Sequence, residues 1–489
     1  MVATLFYAII SLWLAIYSLH GLYLLWLYHR TKGTRLPPPN PREWPKVTVQ
    51  LPIYNEFTTI ERLLTSIVSL DYPRNLLEIQ VLDDSADETS AFAAEFVSKW
   101  QEAGTQINHI RREHRQGYKA GALAYGMSCA GGEFLALFDA DFIPPPNFLK
   151  QALPYFHYPR VGCVQARWGH TNREYSLLTR LQAMIIDAHF IVEQTARSRS
   201  GLLMNFNGSA GIWRKTCIED SGGWSSRTLT EDFDLSYRAQ LRGWRIAYTP
   251  ELVVPAELPV EIAAYKHQQA RWARGSLQTA KKMLIPLINS TLPLRLKIMG
   301  IIHLTHYLVH PLLLFALFLS LVLKIQASEV YEWIPVFMLF ALVAPLLYLT
   351  GHAPESPPWF NRLKLIPAAM LLSIGMSVNN AQAALKGLLG PAEGAFVRTP
   401  KYALKQQSDR WEKSRYVLSR YSWGIPELFF MALTFMGIIN AIRIGDFYII
   451  PWLFVYGSGY GLITIISIEQ IIRRKVLRTQ THPFLFLGN

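Results

Sequence analysis

The sequence predicts a doubly wound α/β domain joined to a set of α-helical membrane segments. Three observations predict it. A stretch free of charge opens the chain, apolar strand patterns alternate with helical ones through the middle, and long apolar runs return in the last third. The averages fit this mixture. The 489 residues are 51% hydrophobic and only 17% charged, below the ~25% usual for soluble domains. Such apolar content excludes a disordered chain. The three cysteines, Cys129, Cys163 and Cys217, are too few for a disulfide scaffold and suit free thiols in a reducing compartment.

Residues 4–28 contain no Asp, Glu, Lys or Arg and are long enough to span a bilayer. His29, Arg30, Lys32 and Arg35 follow at once, which places that end on the cytoplasmic side. The alternative, a cleaved signal peptide, needs a basic segment before the run and a shorter apolar stretch. A Pro-rich linker over Pro37–Pro41 leads into residues 46–295, which read as soluble. Residues 47–54 are a strand pattern, 56–70 a helix, 76–82 a strand, 88–103 a helix and 134–140 a strand. Near-continuous apolar strands alternating with helices predict a parallel sheet covered on both faces, with ligands at the carboxyl ends of the strands.

Candidate spans follow at 299–323, 332–350, 425–443 and 447–469. The run 364–388 carries Pro367, Asn379, Asn380 and Gln382. Were it a crossing, the basic loop 389–424 and the tail residues Arg473, Arg474, Lys475 and Arg478 would lie outside. An in-plane or re-entrant segment keeps both inside. The expectation is therefore five crossings with the soluble domain cytoplasmic.

The chemistry lies in short polar motifs. In 81–89 an apolar strand ends in Asp83, Asp84 and Ser85; the pattern suits a base or ribose contact, or simply a turn. In 137–142 Asp139 and Asp141 leave another strand two residues apart. Such hard oxygen ligands suit Mg²⁺ or Mn²⁺ on a diphosphate. In 230–234 the adjacent Glu231 and Asp232 repel, so that one is poised as a base; Thr230 is equally a helix N-cap. Residues 266–298 carry Lys266, Arg271, Arg274, Lys281, Lys282, Arg295 and Lys297 and no acid. They read as an amphipathic helix on anionic lipid, or as a substrate surface with Arg271 on phosphate and Trp272 against a sugar ring. His303, His306, Tyr307 and His310 fall at helical spacing in a span, as a metal site or a polar inward stripe.

The order of these motifs, Asp83/Asp84, Asp139/Asp141, Thr230-Glu231-Asp232 and Gln268-Arg271-Trp272 followed by membrane helices, resembles the family 2 inverting glycosyltransferases of the cellulose synthase type. The stretches 50–56, 80–89, 117–123, 164–168, 206–211 and 222–224 are most similar to the plant mannan and glucomannan synthases, with the xyloglucan-backbone glucan synthases next. The resemblance implies a GT-A catalytic domain over 45–260, interfacial helices over 261–298, and a membrane channel over 299–489 behind the first helix at 1–30. It also implies a nucleotide-sugar donor held by Asp83, Asp84 and Lys119, with a divalent metal on Asp139 and Asp141. Asp232 is then the general base, beside Glu231 and Thr230. Gln268, Trp272, Asn207 and Gly208 border the acceptor, and Arg271 touches the donor. Residues 396–401 (FVRTPK) resemble a gating loop, with Arg398, Thr399 and Lys401 toward phosphate. Arg398-Thr399-Pro400 departs from the family's Val-Thr, and a lipid-bound basic loop is the alternative reading.

The implied activity is processive β-hexosyl transfer, with GDP-mannose, GDP-glucose or UDP-glucose as donor and a growing polysaccharide as partner. The rival is a single-sugar transfer to ceramide, diacylglycerol or a polyprenyl phosphate. A third possibility, a basic membrane protein that binds lipid or a regulatory nucleotide, explains the charge but not the ordered acids. The formal charge of +13 sits in cytoplasmic, lipid-facing segments and does not indicate nucleic acid. The expected location is an integral membrane protein of a bacterial inner membrane, or of the Golgi in a plant.

Overall fold

A computed structural model describes residues 2–33, 39, 41–322, 342–391, 397–404, 408–418 and 424–481. Seven strands form one sheet: β1 Val47–Ile53, β2 Leu77–Asp83, β3 Ile107–Arg111, β4 Phe134–Leu137, β5 Val161–His170, β6 Gly211–Arg214 and β7 Arg245–Ala256. Their spatial order is β3-β2-β1-β4-β6-β5-β7. The expected parallel arrangement holds for β3, β2, β1 and β4, whereas β6 runs antiparallel to both β4 and β5. The sheet is therefore mixed. With four residues, β6 is too short to declare itself by periodicity.

The strands are apolar on both faces because helices cover both. Val47, Val49, Leu51 and Ile53 point one way, onto Ile60, Leu63, Leu64 and Ile67 of the helix Ile60–Val68, the 3.6-residue stripe expected of a covering helix. On the other face Leu82, Leu135 and Leu137 meet Ala120 and Leu123 of the helix Tyr118–Cys129. Buried polar residues within the sheet satisfy one another: Gln50 and Gln80 stand opposite in register, with Gln50 Nε2 donating to Gln80 Oε1 at 3.0 Å. The crossovers leave β1 toward β2 on one side and return to β4 on the other. The crevice at this switch point is where an open α/β sheet presents a ligand site.

Among the described residues, four helices are long and apolar enough to cross a membrane: Leu5–Thr31, Leu294–Leu321, Ile425–Ile444 and Ile450–Arg474. The helix carrying 299–323 thus begins five residues earlier than its apolar run suggests. Residues 332–341 of the expected span 332–350 lie outside the described residues; Val343–Thr350 is helical. The run 364–388 falls in two helices, Trp359–Gly375 and Ser377–Leu389, of 17 and 13 residues, shorter than the ~20 needed to span a bilayer. They pack as part of the bundle. Gly375 lies so close to the backbone of Gly459 that a Cβ has no room, the small-residue approach typical of helices in lipid. The histidines at helical spacing each find a separate partner: His303 with Tyr237 at 2.8 Å, His310 with Asn380 at 3.2 Å, and His306 Nδ1 with the His303 carbonyl at 2.8 Å.

Candidate active site

A cleft with about 1220 Å³ of empty space, open solvent included, lies at the carboxyl ends of β1, β2 and β4. It is closed by the helix Ile262–Ile288 and by residues 398–401.

The two aspartates after β2 point in different directions. Asp83 is buried, takes the Ser85 N–H at 2.8 Å and lies 2.9 Å from His109 Nε2. Burial alone would raise its pKa; the hydrogen bonds from His109 and Ser85 outweigh that and hold it down at about 2. Asp83 does not line the cleft, whereas Asp84 does. Arg112 Nε donates to Asp84 at 3.0 Å, and Arg112 also ties the carbonyls of Gln116 and Tyr118. Arg115 lies 3.3 Å from the centre of the Tyr54 ring, forming a flat cationic edge on the same wall.

Lys119 is the hub of the floor. Its Nζ is 2.6 Å from Asp139, 3.8 Å from Glu231 and 2.8 Å from the Gly208 carbonyl. Burial would lower its pKa, but Asp139 and Glu231 prevail and raise it, so it stays a cation. Asp139 and Asp141 stand just beyond the end of β4 rather than within it. The Asp139 N–H donates to Ser209 Oγ at 2.9 Å, and Asp141 accepts from the Glu257 N–H at 3.1 Å.

Glu231 and Asp232 occupy the first turn of the helix Glu231–Leu241. A helix N-terminus favours the carboxylate form. Burial, together with the neighbouring Glu231 and against Lys119, nevertheless pushes Asp232 up to about 7. Gly208 has φ +84, and a Cβ there would stand 2.8 Å from Asp232 Oδ2; glycine lets the 207–208 turn reach the carboxylate. Thr230 takes no part in the cleft. Although it sits at the N-cap, its side chain makes no cap bond; its Oγ1 is 3.3 Å from Thr279 Oγ1, and the residue packs on Gly275. Asp234 pairs with Arg238 and Lys282 at 2.8 and 2.7 Å, away from the site.

Gln268, Arg271 and Trp272 share one face of the helix Ile262–Ile288 and line the opposite wall, as do Asn207 and Gly208. Residues 397–404 reach into the cleft. Arg398 pairs with Glu56 at 2.7 Å and Lys401 with Asp141 at 2.7 Å. Glu257 accepts the Tyr402 and Ala403 N–H groups at 2.7 Å each. Burial pushes both Glu56 and Glu257 up to about 7. Among the buried polar atoms of cleft-lining residues that have no hydrogen-bond partner are Asn207 Nδ2, Gln268 Oε1 and Thr399 Oγ1. Such atoms are costly unless a ligand engages them.

The structure thus brings together every expected site residue except Asp83 and Thr230, which stand behind the wall. Sequence reasoning missed Glu56, Arg115 and Glu257. Glu56 ends the stretch 50–56 that carries part of the resemblance and was within reach; nothing near Glu257 marks it.

Among the described residues no three His, Cys, Asp or Glu side chains converge as a metal cage. Asp139 and Asp141 do offer two carboxylates beside a cleft, the set that Mg²⁺ or Mn²⁺ uses when phosphate oxygens and water complete the shell. The donor set therefore fits the expected ion.

Residues 45–275 match the family model "Glycosyltransferase like family 2". The chain is 37% identical over 357 residues to a probable glucomannan 4-beta-mannosyltransferase 7 of Oryza sativa subsp. japonica, covering 71% of this chain and 60% of that one. It is 41% identical over 252 residues to glucomannan 4-beta-mannosyltransferase 2 of Arabidopsis thaliana, covering 50% and 47%. The chain thus spans about half to three fifths of the length of these curated relatives. In fold it is similar to a mannosyltransferase from Pyrobaculum calidifontis solved in complex with GDP-Man and Mn²⁺, at 22% identity and a TM-score of 0.53, covering 78% of this chain and 99% of that one. The sheet with its β1/β4 crevice is accordingly a GT-A-like fold, and the chain is similar to family 2 glycosyltransferases, among them the plant glucomannan mannosyltransferases.

Proposed function

We propose that this protein is a membrane-embedded, inverting hexosyltransferase that extends a β-1,4-linked polysaccharide from a nucleotide sugar and passes the chain through its membrane helices. One observation carries the reading: Asp232, a carboxylate poised near neutrality, stands beside the Lys119–Asp139 pair in a cleft whose far wall is Gln268, Arg271 and Trp272. GDP-mannose is the foremost donor, with GDP-glucose and UDP-glucose next, because the related plant proteins carry glucomannan mannosyltransferase names.

Asp84 and Arg115 take the nucleoside, and Lys119 the diphosphate. Asp139 and Asp141 would hold Mg²⁺ or Mn²⁺, which stabilises negative charge on the departing diphosphate. Trp272 stacks on the acceptor sugar while Gln268 and Asn207 supply hydrogen bonds to its hydroxyls. Asp232 removes the proton from the acceptor hydroxyl, and that oxygen bonds the anomeric carbon from the face opposite the leaving group. The bond to the diphosphate breaks with its electron pair on the phosphate oxygen, so an α-linked donor gives a β-glycoside. No second carboxylate is required as a nucleophile. Arg398, Thr399 and Lys401 approach the diphosphate from the loop side.

The helix set supports a catalytic domain on the cytosolic side of a bacterial inner membrane, or of the Golgi membrane in a plant. The test is incubation of purified protein with Mg²⁺ or Mn²⁺ and a panel of GDP- and UDP-sugars. A ladder digested by a linkage-specific β-1,4-glycanase supports the reading. A single-sugar glycolipid with no ladder would overturn processivity.

A further inference from the structure

A second polar cleft lies where the catalytic domain meets the membrane helices, between the helix Leu177–Asp187 and the start of the helix Trp359–Gly375. It is a narrow crevice, partly open to solvent, and Arg173, Arg180 and Arg362 all line it. The cleft is built rather than incidental. Asp187 on its floor is engaged on three sides: by Arg173 at 2.8 Å, by Ser356 Oγ at 3.2 Å and by His170 at 3.1 Å. The loop that carries Ser356 is fixed in turn by the ion pair of Glu355 with Arg167 at 2.9 Å.

Arg180 and Arg362 lack such close pairing, although the Asp187 carboxylate lies near enough to Arg362 to act on its charge. Arg362 is only 6% exposed, yet its Nε and Nη1 have no hydrogen-bond partner, and neither has the buried Nε of Arg180. Glu174 also borders the cleft, on its exposed side. A buried guanidinium with idle donors is strongly unfavourable unless an anion completes it. A planar fork of N–H donors matches phosphate oxygens two at a time.

The surroundings indicate where the phosphate comes from. On the same first turns as Arg362, the side chains of Trp359, Phe360 and Leu363 are 65%, 54% and 44% exposed. Aromatic and aliphatic side chains at a helix start beside basic groups mark the headgroup level of a bilayer. A ligand whose phosphate sits on Arg362 and Arg180 would lay its acyl chains along this apolar row.

We propose that Arg173, Arg180 and Arg362 form a phosphate site at the seam between catalytic domain and membrane bundle, occupied by the headgroup of an anionic phospholipid. The site is separate from the catalytic cleft and does not depend on which sugar is transferred. Its ligand bridges the Leu177–Asp187 helix to the bundle, which ties the domain's seat to lipid composition.

The test uses the full chain in a neutral detergent with dioctanoyl phosphatidylglycerol, dioctanoyl phosphatidylcholine or inorganic phosphate. The readouts are the thermal midpoint and native-mass adducts. Phosphatidylglycerol is expected to raise the midpoint and to remain bound; the paired change R180Q/R362Q weakens its binding about tenfold or more. If the double variant does not fold, R180Q alone, at a half-buried position, is expected to weaken binding about fivefold. Equal shifts from the two lipids, or unchanged binding in the variants, would overturn the site. Inorganic phosphate that matches phosphatidylglycerol and displaces it would overturn the lipid assignment and leave a free-anion site.

Discussion

Asp83 and Asp232 are both acids at a terminus of a secondary-structure element, both penalised by burial, and they titrate in opposite directions. Asp83 receives donors from Ser85 and His109 and stays ionised far into the acid range. Asp232 has the Phe233 N–H at 2.8 Å and a like charge in Glu231, and is held near neutrality. Burial penalises both; the donors that face each carboxylate decide the sign. One acid is thereby a structural fixture and the other is free to exchange a proton.

The largest test of this contrast is Asp232→Asn. It should lower sugar transfer by about 10²–10⁴-fold while donor binding persists, the span expected when a positioned base is removed. Undiminished transfer would end the assignment. Next is Asp141→Ala, expected to cost about 100-fold or more in metal-supported turnover, with the protein still inserted in membrane. Asp83→Asn should act on the fold instead: a loss of about 1–3 kcal/mol in unfolding free energy, since His109 and the Ser85 N–H lose a charged acceptor. Unchanged stability with abolished donor binding would reverse the roles given to Asp83 and Asp84.

The pH profiles sharpen the same point. Asp232 acts as a base when deprotonated, so turnover per free enzyme should rise with pH through about 7 and level off above it. That limb should vanish in Asp232→Asn. Asp83 has its folded pKa below the ordinary 3.8, so its contribution is present above about pH 4 and is lost as pH falls toward 2. The smallest effect belongs to Lys401→Met, a severalfold rise in the donor KM with kcat less affected, read from initial rates across donor concentrations.

Much of this site was legible before any coordinates, because strand patterns end in acids at 83–84 and 139–141 and the crevice follows from the alternation. The facing of individual side chains was not. Whether Asp83 or Asp84 enters the cleft depends on the pleat at the last residue of β2 and on a histidine in β3. Thr230 satisfies the pattern of an N-cap but is turned aside by its packing on Gly275. Glu257 was invisible for another reason. It reaches the site from the end of β7, over a hundred residues after Asp141, and only the folded sheet puts the two together.

The helix that carries Gln268, Arg271 and Trp272 is fastened mainly from the membrane side. Lys266 meets Glu427 at 2.6 Å, Gln470 bonds Ile262 N and the Val260 carbonyl at 2.9 and 3.1 Å, and Asn379 holds the Lys266 carbonyl at 3.0 Å. In the proposed mechanism the two substrates would then be aligned by different mounts, the donor by the sheet and the acceptor by a frame packed on the membrane-length helices. A catalytic domain cut free before residue 290 would keep the sheet side of its donor pocket, lose Arg398, Thr399 and Lys401 from the loop side, and lose the alignment of its acceptor wall. Detergents that loosen the bundle would then slow transfer without loosening the grip on nucleotide.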